Sequence, residues 1–263
     1  MRWASQATQD VWHAANTKPA PIPFEKLSKI ITPRGGNCGI IIAAPGQGKT
    51  TFLLNWILKS NARALFMSAD TSPHDFTGQL GALATGETRS QVEGRLRSSA
   101  TWRAEYGKHI SEKHPNLVLD FSSQPKMHQI GARVGALTEL WGKAPQIVVM
   151  DTASNVYMDD MGANSEWQRV WLEAIEIART FNLFWIFAHH VKVGPARGGR
   201  VAPEMNDGLF GSDQFAEIVM GMHTPRPNTV DVTVRKNRTG PKDVPVRFDV
   251  DFARADFKEQ TKS

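Results

Sequence analysis

Ala43-Ala44-Pro45-Gly46-Gln47-Gly48-Lys49-Thr50-Thr51 follows the apolar run Gly39-Ile40-Ile41-Ile42 and leads straight into Phe52-Leu53-Leu54-Asn55-Trp56-Ile57-Leu58. The order is a strand, a tight glycine-containing loop and a helix start closed by Gly48-Lys49-Thr50. Such a turn aims successive backbone N–H groups and a helix N-terminus at one small volume, which is how proteins cradle phosphate. Lys49 is placed to reach the outer phosphates of a nucleoside triphosphate, and the Thr50 hydroxyl is the natural ligand for magnesium beside them. The usual G-x-x-x-x-G-K-[ST] pattern begins with glycine, whereas position 43 is alanine. A chance glycine-rich turn is the bland alternative, and the flanking strand and helix speak against it.

The rest of the composition bounds what surrounds this loop. Apolar residues make up 41% of 263 positions, enough for one large α/β domain with a sizeable core, or two small ones. The single cysteine, Cys38, excludes a disulfide framework and fits a reducing cytosol. No apolar run approaches the roughly 18–20 residues of a membrane span. The stretch Met1-Arg2-Trp3-Ala4-Ser5-Gln6 lacks the apolar core of a secretory signal. A soluble, cytoplasmic protein is therefore expected. The formal net charge of +5 is mild, but its distribution is uneven. Between Arg226 and Lys242 stand five basic residues and one acid, Asp231, and the stretch Lys192 to Arg200 has no acid at all. Clusters of this kind attract a phosphate backbone, or are solvated surface.

Along the chain, Trp3, Ala7 and Val11 recur every four residues in an N-terminal arm, 1–18, which Pro19-Ala20-Pro21-Ile22-Pro23 closes. Buried strands are expected at 64–68, 117–120, 146–151 and 183–188, with helices over 73–114 and 126–142. Trp167, Val170, Trp171, Ala174, Ile175, Ala178 and Phe181 carry a 3.6-residue period. Continuously apolar strands alternating with helices predict a mainly parallel sheet covered on both faces. From about 216 the strands crowd together (217–222, 229–235, 244–250), which reads as antiparallel additions at a sheet edge. The boundaries that result are an arm at 1–18, a core at 19–255 and a polar tail at 256–263.

In a parallel sheet, functional groups collect at the carboxyl ends of the strands. Three polar groups stand at such ends: Asp70, Asp151 and the pair His189-His190. Asp151 closes an apolar strand, as a magnesium-holding carboxylate does, or caps the next element. Asp70 is either a carboxylate that orients the attacking water or an N-cap before Ser72-Pro73. Adjacent histidines point to opposite faces, so one of them is available to hydrogen-bond a γ-phosphate and a shared metal is not expected. The basic loop 191–200 follows directly and has no aromatic residue for base stacking.

Further segments follow the same order: Ile22-Pro23-Phe24-Glu25-Lys26-Leu27 through Gly35-Gly36 before the cradle, Ser68-Ala69-Asp70, Val148-Val149-Met150-Asp151, Gln214-Phe215-Ala216-Glu217-Ile218-Val219, and Arg235-Lys236-Asn237-Arg238-Thr239-Gly240-Pro241. Together they resemble the RecA-fold motor domain of DnaB-type hexameric replicative helicases, including short phage-type relatives, over nearly the whole chain. Alanine at position 43 is itself usual in that family. The resemblance implies a RecA-like P-loop NTPase that binds ATP and Mg²⁺, with residues 43–51 as the nucleotide loop and Thr50 and Asp151 on the metal. Asp70 falls on the catalytic glutamate and His190 on a strand-end glutamine. Lys192, Arg197 and Arg200 fall on the loop that binds single-stranded DNA. Lys236 and Arg238 fall on cations that reach the neighbouring subunit's nucleotide, so Lys49, Asp70, His190, Lys236 and Arg238 form the expected catalytic set. A homo-oligomer, a hexameric ring, is implied, in the cytosol of a bacterium or a phage-infected host.

Two departures stand out. Aspartate at 70 is one methylene shorter than glutamate, which implies poorer water positioning and slower turnover. The chain has no counterpart of the family's primase-interacting domain, so coupling to primase is not expected. The function that follows is an ATP-dependent, ring-forming DNA helicase or translocase acting in replication. A RecA-like recombination or strand-annealing ATPase is the alternative. A small-molecule P-loop kinase fits less well, for no lid is evident and the 235–241 segment would go unexplained.

Overall fold

The hydrophobic run 38–43 becomes the central strand, β1 (Cys38–Ala43), in which all six residues are buried. Successive side chains of a strand face opposite ways. Ile41 and Ala43 accordingly enter one hydrophobic core, and Cys38, Ile40 and Ile42 the other. The computed structural model describes residues 18–156, 163–191, 198–208 and 214–261.

Eight strands join β1: β2 (Ala64–Ser68), β3 (Leu117–Asp120), β4 (Ile147–Asp151), β5 (Phe184–His190), β6 (Ile218–Arg226), β7 (Thr229–Asn237), β8 (Val244–Asp251) and β9 (Asp256–Glu259). They form one sheet in the order β3-β2-β4-β5-β1-β6-β7-β8-β9. Pairing is parallel from β3 to β6 and antiparallel from β6 to β9. The expected α/β class with a mainly parallel sheet is what the chain adopts.

Helices cover both faces. On one side lie α1 (Glu25–Ile30), α2 (Lys49–Ser60) and α3 (Pro73–Thr85), which bury Leu27, Phe52, Trp56 and Phe76 among others. The region 73–114 is divided further into α4 (Arg89–Ser98) and α5 (Ala100–Lys113). The break comes at Gly86, whose φ of +77° ends α3, and at Thr88, which opens α4 with a capping box to Gln91. On the other side, α6 (Met127–Trp141) and α7 (Ala163–Phe181) pack Ile130, Val134, Trp167, Trp171 and Ala174 against the sheet. The 3.6-residue period of α7 is thus its buried stripe.

Two expectations need correction. β6 is not an antiparallel edge addition: it lies inside the sheet and runs parallel to β1, with Gly39 opposite Ile218 and Ile42 opposite Gly221. The long connection between β5 and β6 provides the crossover that parallel neighbours require. Nor does the structure end in a polar tail at 256. Asp256–Glu259 pairs with β8 as β9, and Phe257 is fully buried. The Glu259 carboxylate accepts hydrogen bonds from the Lys26 and Leu27 amides (2.9 and 3.1 Å), which caps α1 from the far end of the chain.

Asn55 fastens this last strand to the cradle helix. Its Nδ2 donates to Thr51 O (2.8 Å) and Ala255 O (2.7 Å), and its Oδ1 accepts from Phe257 N (3.0 Å), all out of solvent. Asn55→Ala strands a buried amide and a buried carbonyl, a loss of about 1–3 kcal/mol or more. A urea melt should show a lower midpoint; a midpoint equal to that of the parent would mean that Asn55 does not clamp β9.

Candidate nucleotide-binding and hydrolysis site

Between β1 and α2 the backbone turns through two glycines in the left-handed region, Gly46 (φ +75°) and Gly48 (φ +83°). L-residues with side chains adopt this region at a cost. Gly48 is the N-cap of α2 and provides no side-chain cap, so the first amides of the helix face the loop. Ala43 is still a strand residue, paired with His190 and fully buried, which explains why alanine serves there. Ala44 is buried, Pro45 and Gly46 are exposed, and Thr51 turns inward, its hydroxyl donating to Gln79 Oε1 (2.9 Å).

Lys49 is only 6% exposed. Its ammonium donates to Ala43 O (3.1 Å), Ala44 O (3.2 Å) and His190 Nδ1 (3.2 Å). Burial pulls its pKa down to about 8, against the opposing pull of Asp151 and Asp70. Beside it the Thr50 hydroxyl donates to Asp151 Oδ2. Burial raises the Asp151 carboxyl above the usual range, while the Thr50 hydrogen bond and the Lys49 charge work the other way. A buried carboxylate and a hydroxyl at the mouth of a phosphate loop make a hard oxygen donor set, the kind magnesium takes.

The ends of β2 and β4 are tied together: the Asp151 carbonyl accepts from Ala69 N (2.7 Å) and Asp70 N (3.3 Å). That places Asp70 at the same mouth. The cap of α3 is Ser72, whose hydroxyl accepts from Asp75 N, so Asp70 is not the N-cap. Its Oδ2 lies 3.8 Å from His190 Nε2. The two histidines part company as strand alternation requires. His189 is buried against the Trp167 ring (centroids 5.5 Å), whereas His190 bridges Lys49 and Asp70. Burial, then the Lys49 charge, lowers the His190 pKa, so a neutral ring accepts at Nδ1 and presents N–H at Nε2 toward Asp70.

The remaining expected residues lie elsewhere or outside the described residues. Lys236 and Asn237 pair with Val219 and Ile218, which sit beside Ile40 and Gly39 at the beginning of β1, whereas the cradle follows its end. Arg238 is half exposed and pairs with Glu217 (3.1 Å), and Lys236 reaches toward Gln214 O at 3.5 Å. Neither joins its own chain's cradle. Arg235 is instead structural, bonded to Pro203 O (2.9 Å), Glu204 (3.0 Å) and Asp243 (3.2 Å). Lys192 and Arg197 fall outside the described residues, as does the arm 1–17; Arg200 is exposed. Among the described residues no helix is long and apolar enough to cross a membrane.

Two contacts of the cradle escaped the sequence reading. Gln47 packs on Gly199, where a Cβ would sit 2.2 Å from its Nε2. Phe252, 38% exposed, lies against Gly48, where a Cβ would meet its ring at 2.9 Å. The second had one faint signal, an aromatic set among Asp251, Ala253 and Arg254 in a polar turn.

The family model AAA_25, an AAA domain, matches residues 5–196. The chain is 24% identical over 238 residues to the Gene 65 protein of Mycobacterium phage L5, covering 87% of this chain and 85% of that one. The Gene 65 protein of Mycobacterium phage D29 is 24% identical over 220 residues, covering 78% and 89%. Among solved structures, one described as an ATPase domain superposes with a TM-score of 0.80 at 16% identity, over 98% of both chains. A DnaB-like replicative helicase, solved for its interactions with primase, gives 0.76 at 15% identity, over 96% of this chain and 65% of that one. The RadB recombinase gives 0.54 at 16% identity, over 84% and 90%. The fold is therefore that of RecA-like ATPase domains, as the sequence resemblance implied.

The depressed Lys49 pKa has a consequence for the protein on its own. From about pH 8 up to the ordinary lysine range, the unfolded chain holds a proton that the native state has released. Lys49 therefore adds stability as pH rises through that window, and adds no pH dependence below it. Denaturant melts in chelator, without nucleotide, should show the parent gaining on Lys49→Met between pH 8 and about 10. Parallel curves would mean that the ammonium is not held at a cost.

Proposed function

Because the chain belongs to the AAA_25 family of AAA domains, we propose that it is an ATP-driven, ring-forming helicase or translocase that acts on single-stranded DNA in replication. One observation carries this reading. Lys49, Thr50, Asp70, Asp151 and His190 meet at one end of the sheet, and the cations Lys236 and Arg238 stand at the other. A head-to-tail neighbour brings the second set to the first, and such contacts close into rings or grow into filaments.

In this reading the backbone amides of residues 46–50 and the Lys49 ammonium hold the phosphates of ATP, and the exposed Phe252 ring offers its base a surface. Thr50 and Asp151 would hold Mg²⁺, which would supply neutralising charge beside the phosphates. Asp70 orients water for attack on the γ-phosphorus and takes its proton as the bond to the β–γ bridging oxygen breaks. His190 gives up its contact with Lys49 and hydrogen-bonds the γ-phosphoryl group, then relays its presence to the basic loop that follows β5. Lys236 and Arg238 of the adjoining copy stabilise the transferring group, and Lys192, Arg197 and Arg200 grip the strand. The Gene 65 relatives come from two phages, which suits a part in phage replication. A recombinase-like filament is the second reading, since the same head-to-tail contact also builds an open helix.

Lys49→Ala should abolish nucleotide binding. Arg238→Ala should keep it and slow hydrolysis by about 10³-fold or more, as loss of an arginine finger does. Mixing the two inactive variants should restore part of the activity through hybrid interfaces; no rescue at any ratio would refute a shared site. Strand displacement that requires ATP hydrolysis, with closed rings on DNA in electron micrographs, separates the motor from the filament. Intact DNA-stimulated ATPase without unwinding would reject the motor.

A further inference from the structure

A groove of about 400 Å³ opens beside the cradle, lined by Gln47, Gly199, Arg200, Pro225, Arg226 and Pro227 among others. It falls within the size range of small-ligand clefts, about 300–1,000 Å³. Two arginines face it, and no acid is among the described residues that line it. Arg226 is held in place on the β6–β7 turn, its Nε donating to Thr229 Oγ1 (3.2 Å). The other wall is the end of the basic stretch that leaves β5, anchored where Thr224 N donates to Gly199 O (2.8 Å). The floor is the cradle itself: Gln47 lies across Gly199, and its Oε1 is buried with no hydrogen-bond partner.

We propose that this groove binds one phosphodiester unit of single-stranded DNA, with Arg226 as a strand-gripping residue alongside Arg200. The inference rests on the proposed function and extends it to a part of the chain, the β6–β7 turn, distant in sequence from the basic loop. Arginine suits this task because its planar guanidinium matches phosphate oxygens. The two prolines and the glycine backbone give the sugar an apolar, unhindered wall. Because Gln47 belongs to both the groove and the triphosphate loop, a strand phosphate here lies one side chain away from the nucleotide.

The test is anisotropy of fluorescently labelled oligo(dT) with the full chain across a salt series. Each single-strand phosphate contact contributes about 0.7 to the slope of log Kobs against log salt. Arg226→Ala should lower that slope by up to about 0.7, and Arg200→Ala combined with Arg226→Ala by about 0.7 in all, the worth of the one phosphate they share. Arg97→Ala, at an exposed arginine on α4, should leave the slope where it was. An unchanged slope in Arg226→Ala, or an equal drop in Arg97→Ala, would overturn the groove. So would weakened binding of a fluorescent nucleotide by Arg226→Ala at an unchanged oligo(dT) slope, which would assign the groove to the triphosphate. If the parent chain itself does not bind oligo(dT), the proposed function falls first and the groove loses its ligand with it.

Discussion

A lysine ammonium sunk to 6% exposure and bonded to two carbonyls and an imidazole is the constraint on which the rest of the site depends. Neutral acceptors compensate a buried charge incompletely, and the lowered pKa of Lys49 is the direct sign of it. A polyphosphate would supply the missing negative charge. The neighbouring groups are arranged around the same deficit. Asp151 is buried and inclined toward its neutral form, so a divalent cation beside it would satisfy it too. Left to themselves, the two adjacent groups sit in unfavourable protonation equilibria, and the magnesium–nucleotide complex of the proposed function would relieve both.

Sheet register is what brings these groups together. β1 is flanked by β5 and β6, so the end of β5, His190, stands beside Ala43 at the entrance of the loop. The link between the Asp151 carbonyl and the amides of Ala69 and Asp70 then draws the end of β2 toward the same point. Three strand ends far apart in sequence thus deliver two carboxylates and an imidazole to one mouth. Asp151 and His190 are carried by strand ends fixed by two buried cores, and Asp70 stands in the bend after β2, held by its amide's bond to Asp151 O.

How much of this was legible in the sequence follows from the kind of signal each element carries. β1, β2, β4 and β5 are continuous apolar runs, and α7 repeats its tryptophans and alanines at helical spacing, so burial and period alone reveal them. β6 is just as apolar, but its direction is set by the crossover before it, which no local pattern encodes. β9 has one apolar residue, Phe257, among Asp256, Lys258 and Glu259, and alternation that short reads as surface. Strand-end chemistry was legible at Asp151 and His190 because an apolar run points to each. The bridge from Lys49 through His190 to Asp70 needed the strand order β4-β5-β1, and the Phe252–Gly48 and Gln47–Gly199 contacts needed packing between distant turns.

The same register keeps Arg238 away from the cradle of its own chain. From Ile40 to Ala43 the rise along β1 is roughly 10 Å, and the two strand spacings from β1 to β7 add about 10 Å sideways. Arg238 lies beyond Lys236, past the beginning of β1, and is drawn to Glu217, whose amide bonds to Cys38 O (2.8 Å) at that same end. The distance back to its own loop exceeds the span of one extended arginine. Its neighbours in sequence keep it there: Asn237 is pinned to Ile30 O (2.7 Å), and Arg235 to the 203–204 segment. A cation fixed at the far end of its own sheet would, in the head-to-tail stacking of the proposed function, stand at the right end for a neighbour. Under the proposed function, assembly and catalytic completion would be one event, because the contact that joins two copies would also neutralise the transferring phosphate.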